Sequence, residues 1–162
     1  MTDLFRASDL SERSLSGAPA APISPQPERG VLLIEDDPDL QWSVARLLSG
    51  SFARVVGARS GEAALEVISR WPADLVLVDE GLPGMSGLDV ARAIQRTHPS
   101  IPVVLMGNAE CHELRLAARL AGVVDVLAKP FRLEGLRELL TRLSRLAQDM
   151  RDGLGPEPLA SL

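Results

Sequence analysis

Residues 75–78, with the sequence Leu-Val-Leu-Val, place the strongest constraint on how this chain folds. Pro72 precedes this continuous apolar run, and a loop rich in proline and glycine follows it. A short run of branched apolar residues bounded in this way predicts a strand buried on both faces, as at the centre of a parallel sheet. Asp79 ends the strand, at the carboxyl edge where open α/β sheets bind their ligands. An acid at this position also suits a simple turn, so its role depends on its neighbours.

Four more apolar stretches alternate with amphipathic segments along the chain. Asp37 is predicted to cap the first helix, and Pro38 suits its first turn. Five strands that alternate with five helices predict an α/β fold, with a doubly wound parallel sheet covered on both faces. The other predicted strands are residues 31–34, 53–58, 101–106 and 123–127, and the predicted helices are residues 38–48, 61–68, 88–96, 110–120 and 133–150.

The 162 residues are enough for one ordinary domain, which we predict at residues 30–147. Residues 1–29 are rich in proline, serine and alanine, and we expect a flexible tail there. Within this tail, residues 3–14 could form a short helix. Residues 148–162 are predicted to be a second tail.

The charge pattern and the single cysteine exclude several classes of protein. The net charge is -5 with both signs interspersed, so the sequence does not predict nucleic-acid binding. Cys111 has no second cysteine with which to form a disulfide, which suits a reducing cytoplasm. No apolar run approaches the roughly 20 residues that cross a bilayer, and we see no secretory signal. We therefore expect a cytoplasmic protein with no membrane partner.

Acidic and basic residues follow three of the predicted strands. Asp36 and Asp37 follow the first strand, Asp79 ends the third, and Lys129 follows the fifth. In such a fold these strand ends lie side by side, and crowded carboxylates repel one another unless a cation joins them. Mg²⁺ prefers oxygen ligands of this kind, and a lysine supplies a point charge for a phosphoryl group. The combination predicts a site that forms an acyl phosphate on Asp79.

Three motifs carry a resemblance to a known family. Residues 34–37 (Ile-Glu-Asp-Asp), 78–87 (Val-Asp-Glu-Gly-Leu-Pro-Gly-Met-Ser-Gly) and 127–131 (Leu-Ala-Lys-Pro-Phe) resemble the receiver domain of two-component response regulators. The similarity covers residues 30–145, and the motifs stand in the family's order and at its spacing. The resemblance implies a flavodoxin-like sheet with the strand order 2-1-3-4-5.

The resemblance also implies a role for each motif residue. Asp79 would be the phosphoacceptor, Asp37 would bind Mg²⁺ directly, and Asp36 would bind it through water. The backbone carbonyl of Gly81 would be a further metal ligand, and Lys129 would pair with the phosphoryl oxygens. Three more residues would shape the site, namely Pro83 and Gly87 in the loop and Pro130 in a cis peptide bond after Lys129.

Two positions depart from the family's pattern. The family usually has Thr or Ser at the end of the fourth strand, where this chain has Gly107. Asn108 is next to it and could bind the phosphoryl group only after a backbone adjustment. The family usually has Tyr or Phe three residues before the lysine, where this chain has Val126. We therefore expect phosphorylation of Asp79 but an atypical transmission of the signal.

The resemblance implies a single-domain response regulator rather than an enzyme. Its phosphoryl group would come from a sensor histidine kinase or a histidine phosphotransfer protein. Its output would be binding of a downstream protein through the fourth helix, fifth strand and fifth helix, with a homodimer as another outcome. The alternative is a receiver-like binding module that works independently of phosphorylation. A flavodoxin-like enzyme or nucleotide binder is less consistent with the sequence, because no GxGxxG or GxxxxGK loop follows the first strand.

Overall fold

A computed structural model describes residues 3–6, 26–71, 73–130 and 132–151 of the chain. Strands and helices alternate from the second strand onward, as the sequence predicts. The strands are β1 (Asp3–Arg6), β2 (Gln26–Ile34), β3 (Phe52–Ala58), β4 (Leu75–Asp79), β5 (Val103–Gly107) and β6 (Asp125–Ala128). The helices are α1 (Pro38–Leu48), α2 (Gly61–Arg70), α3 (Gly87–Thr97), α4 (His112–Leu120) and α5 (Leu133–Arg151).

The strands form one sheet in the order β1-β3-β2-β4-β5-β6. The four pairs formed by β3 with β2, β2 with β4, β4 with β5 and β5 with β6 are parallel. At the centre of the sheet, Leu33 of β2 pairs with Leu77 of β4. The five parallel strands therefore have the order 2-1-3-4-5 when they are numbered among themselves. This confirms the predicted flavodoxin-like fold.

β1 was not predicted and lies at the edge of the sheet. It pairs antiparallel with β3, from Asp3 opposite Gly57 to Arg6 opposite Arg54. The expectation of a short helix within residues 3–14 is thus wrong for Asp3–Arg6, because pairing with β3 holds this segment extended. The expected tail over residues 1–29 is also wrong for residues 26–29, which belong to β2. Residues 7–25 of the expected tail lie outside the described residues.

The packing of the core explains why the sequences of the central strands are continuous apolar runs. Ile34, Val78 and Leu105 belong to a buried cluster on one face of the sheet, together with Val90 and Ile94 of α3. α1 supplies Val44, Ala45 and Leu48, which are buried outside that cluster. Because both faces of the central strands are covered, alternation of polar and apolar residues is absent from them.

The chain divides into two compact units, residues 1–129 and residues 130–162. The second unit contains α5, which extends beyond the predicted domain boundary at residue 147 to Arg151. Residues 152–162 of the predicted second tail, and Phe131 of the third motif, lie outside the described residues. Among the helices that the structure describes, none has the length and apolarity needed to cross a membrane.

Candidate functional site

Lys129 joins two acidic residues at the carboxyl edge of the sheet. Its Nζ donates hydrogen bonds to Glu35 Oε2 at 2.7 Å and to Asp79 Oδ1 at 2.6 Å. The two carboxylates are almost fully buried, whereas about a quarter of the lysine side chain is exposed. The ammonium group therefore compensates two negative charges at once and can still be reached from solvent.

The ends of three parallel strands bring these residues together. β2 ends one residue before Glu35, Asp79 is the last residue of β4, and β6 ends one residue before Lys129. The Lys129 backbone N–H donates to the carbonyl oxygen of Gly107 at 2.8 Å, which fixes the lysine beside the end of β5. The predicted side-by-side arrangement holds for β2 and β4, but β5 lies between β4 and β6. The Lys129 side chain nevertheless reaches Asp79 across the end of β5, so the two predicted site residues do come together.

Three carboxylates form a group that could hold a metal ion. Glu35, Asp36 and Asp79 each offer an oxygen atom, and these oxygens lie within 4.8 Å of one another. Hard divalent ions such as Mg²⁺ bind oxygen ligands of this kind and keep several waters. The donor set therefore fits Mg²⁺, as predicted from the sequence, but it contains Glu35 in place of Asp37.

Asp37 has a different role from the one the resemblance implies. It is the N-cap of α1, and its carboxylate accepts hydrogen bonds from the backbone N–H groups of Asp39 at 2.9 Å and Leu40 at 3.2 Å. A carboxylate bound to these N–H groups points toward the helix N-terminus. Direct metal binding by Asp37 does not fit this geometry, and the acidic pair at the site is Glu35 and Asp36.

Two residues that the sequence did not single out position this pair. Gln41 is buried, and its Nε2 donates to the carbonyl oxygens of Glu35 at 3.2 Å and Ala58 at 3.0 Å. Arg59 Nη2 donates to the carbonyl oxygen of Asp36 at 3.1 Å. Both contacts fix the backbone that follows β2, so the two carboxylates project from a constrained turn.

The charges of Glu35 and Lys129 depend on each other. Burial raises the pKa of Glu35, as does the charge of Asp79, against the opposing effect of Lys129. Burial alone would lower the pKa of Lys129, but its hydrogen bonds to Asp79 and Glu35 raise it overall. The lysine is therefore a permanent cation at neutral pH.

The loop after Asp79 contains the other residues implied by the resemblance. The Gly81 backbone N–H donates to Asp79 Oδ2 at 3.1 Å, while its carbonyl as a metal ligand stays a prediction. Pro83 is exposed. Gly87 begins α3, and a Cβ at this position would collide with the carbonyl oxygen of Asp79. Only glycine allows α3 to start this close to the end of β4. The cis peptide at Pro130 stays a prediction.

At the two atypical positions, Gly107 and Val126, the structure shows which other side chains lie nearby. A Cβ at Gly107 would lie 2.6 Å from Oε2 of Glu80, a residue that the sequence did not single out. Asn108 is exposed, and its Oδ1 accepts from the backbone N–H of Glu110 at 3.1 Å in a local turn. Val126 packs against the core cluster. None of these residues supplies a hydroxyl group to the site.

Comparisons with known proteins agree with the fold. A family model described as the response regulator receiver domain matches residues 31–141. The response regulator protein PilR of Pseudomonas aeruginosa is 36% identical over 115 residues, covering 71% of this chain and 26% of PilR. The chain thus spans about a quarter of the length of this relative.

Solved structures show the same similarity. The receiver domain of NtrX from Brucella abortus is 28% identical with a TM-score of 0.66, covering 71% of this chain and 98% of that chain. The chemotaxis protein CheY4 of Vibrio cholerae has the same TM-score and coverage at 24% identity, which supports the shared fold alone.

Proposed function

This chain belongs to the response regulator receiver domain family, and from that premise we propose that it accepts a phosphoryl group on Asp79 in a Mg²⁺-dependent reaction. The observation that carries the proposal is the position of the Asp79 carboxylate. It lies 2.6 Å from the Lys129 ammonium and within a group of three carboxylates suited to a divalent ion. A nucleophilic oxygen, a cation for the phosphoryl oxygens and a metal-binding group are thus in one place.

In the proposed reaction, an oxygen of Asp79 forms a bond to phosphorus as the bond from phosphorus to a histidine nitrogen of the donor breaks. Bound Mg²⁺, held by Asp36 and Asp79 with Glu35 beside them, would supply positive charge to the transferring group. Lys129 exchanges its hydrogen bond to Asp79 for one to a phosphoryl oxygen, while it keeps its hydrogen bond to Glu35. Gly81 holds the second Asp79 oxygen in position through its backbone N–H.

The donor in this proposal is a sensor histidine kinase or a histidine phosphotransfer protein, and the reaction takes place in the cytoplasm. The chain acts as a phosphoacceptor rather than as an enzyme with a separate substrate. Its output is binding of a downstream protein. The side chains of Leu116 and Leu120 on α4 are exposed, which supports α4 as part of the surface that binds this downstream protein.

The experiment is incubation with Mg²⁺ and acetyl phosphate, followed by intact mass spectrometry. We expect a phosphoryl mass increase in the wild type that disappears in Asp79→Asn and on removal of Mg²⁺ with a chelator. Asp74→Asn is a matched control, because Asp74 is an exposed acid that precedes the same strand. A mass increase that persists in Asp79→Asn would contradict the proposal.

A second candidate function is binding independent of phosphorylation. It is favoured by Gly107 and Val126, which lack the hydroxyl and the aromatic ring usual in the family. Equal affinity of the wild type and Asp79→Asn for a downstream partner, with and without Mg²⁺ and acetyl phosphate, would favour this candidate. A phosphorylation-dependent affinity would exclude it.

A further inference from the structure

We propose that the side chain of Glu80 is the part of this domain that moves when Asp79 is phosphorylated, and that its departure from Gly107 transmits the change to α4. This inference rests on the proposed function. It assigns to Glu80 a positioning role between the phosphoacceptor and a helix surface.

The first argument is the place of Glu80 at the end of β4. Its backbone N–H donates to the carbonyl oxygen of Met106 at 2.9 Å, and its carbonyl oxygen accepts from the Gly87 N–H at 3.3 Å. These two hydrogen bonds anchor the backbone directly after Asp79. If Glu80 moves when Asp79 is phosphorylated, the part that moves is therefore its side chain, which is only half-buried.

The second argument is the space above Gly107. A Cβ at Gly107 would lie 2.6 Å from Oε2 of Glu80, 3.2 Å from Cβ of Glu80 and 3.3 Å from Cδ2 of Leu114. The Glu80 side chain and the buried Leu114 of α4 thus share the volume that a larger residue at position 107 would occupy. If Glu80 leaves this volume, the space beside Leu114 opens and α4 can adjust.

The third argument is charge. Within the part of the chain that the structure describes, Glu80 has no ion pair, and Lys129 is already shared by Glu35 and Asp79. Phosphorylation replaces the single negative charge of Asp79 by a phosphoryl group with about two negative charges. With Mg²⁺ bound both before and after the transfer, the site gains about one negative charge one residue away from a carboxylate that has no ion pair, and this charge repels Glu80 toward solvent.

The test is a backbone amide NMR titration of the full chain, kept saturated with Mg²⁺ throughout, with beryllofluoride as the phosphoryl analogue. The Gly81 amide reports the site, and the Leu114 amide reports α4. In the wild type we expect both amide signals to shift. Glu80→Gln keeps the shape but removes the charge, so we expect the Gly81 shift to remain and the Leu114 shift to fall below about half.

Two more variants sharpen the test. Gly107→Ala places a methyl group in the volume of Oε2 of Glu80 and displaces this side chain before any analogue binds, so the Leu114 shift on addition of beryllofluoride should be smaller than in the wild type. Glu62→Gln removes an exposed acid on α2 and should behave as the wild type.

The outcomes separate this inference from the proposed function. An undiminished Leu114 shift in Glu80→Gln, or a wild-type shift at Gly81 without one at Leu114, would overturn the role of Glu80 and leave Asp79 as phosphoacceptor. No wild-type shift at either amide, or equal shifts in Asp79→Asn, would overturn both.

Discussion

Replacing three consecutive acids by their amides, one at a time, determines which carboxylates face the metal. The structure groups Glu35 and Asp36 with Asp79, whereas Asp37 caps α1. We therefore expect Glu35→Gln and Asp36→Asn to weaken Mg²⁺ binding and Asp37→Asn to leave it nearly unchanged.

The magnitude follows from the spacing of the oxygens. An ion among three oxygens that lie within 4.8 Å of one another is no farther than that distance from each. With the dielectric constant of water, the attraction between a divalent ion and one carboxylate at this distance is about 1.7 kcal/mol, or about 20-fold in affinity. Because Glu35 is buried, about 20-fold is a lower bound for its loss. The exposed charge of Asp37 is screened by salt, so its loss should change affinity less than about threefold.

The assay is calorimetric titration with Mg²⁺ at constant ionic strength. Asp39→Asn serves as the matched control, because Asp39 is an exposed acid in the first turn of the same helix. Thermal unfolding in parallel checks that each variant is folded. A loss of affinity in Asp37→Asn as large as in Asp36→Asn would refute the reasoning, since it would show that Asp37 leaves the helix cap to bind the metal.

Three further predictions concern stability. Asp37→Ala should lower the free energy of unfolding by about 1 kcal/mol through loss of the cap, and Asp37→Asn should restore most of it; equal thermal stability of both variants would contradict this. Burial raises the pKa of Glu35 above 4.5, so the folded state binds this proton more tightly than the unfolded chain, and ionisation of Glu35 costs stability as pH rises from 4.5 through the raised pKa. Urea unfolding of the wild type and Glu35→Gln as a function of pH should show this extra fall only in the wild type, and parallel curves would exclude it. Gly87→Ala should destabilise the fold by about 1–3 kcal/mol because its Cβ meets the Asp79 carbonyl, whereas Gly50→Ala, with only one contact at 3.9 Å, should be nearly neutral in the same unfolding assay.

The parallel sheet and the position of Asp79 could be predicted from sequence because local patterns encode them. A buried parallel strand must be apolar on both faces, and residues 75–78 satisfy this without any long-range information. Once five strands alternate with five helices, right-handed crossovers leave few arrangements, and the strand ends that carry Asp79 and Lys129 must lie at the same edge of the sheet.

The predicted acidic pair, Asp36 and Asp37, is one residue away from the observed pair, Glu35 and Asp36, and this error has a physical reason. Three acids follow one another at positions 35–37, and spacing alone does not say which two face the site. Pro38 already indicated the answer, because a proline at the first helical position makes Asp37 the N-cap, and this predicted cap commits its carboxylate to the helix rather than to a metal ion. Glu35 remains as the carboxylate that Lys129 can reach.

Two other features depend on contacts between distant residues. Asp3–Arg6 is extended because β3 provides a partner, and a four-residue segment carries too little periodicity to show this. The position of Glu80 over Gly107 likewise depends on the pairing of β4 with β5. Neither contact has a local signature in the sequence.

The antiparallel β1 has a consequence for self-association. The outer edge of β3 uses its backbone groups to pair with a segment of its own chain. An unpaired edge strand is a template for pairing with another molecule. Here, sheet-to-sheet joining of two copies along β3 requires β1 to detach first or to be exchanged reciprocally between the copies. Dimers formed by the reciprocal exchange would be strand-swapped, and both routes would be limited by the rate at which β1 is released.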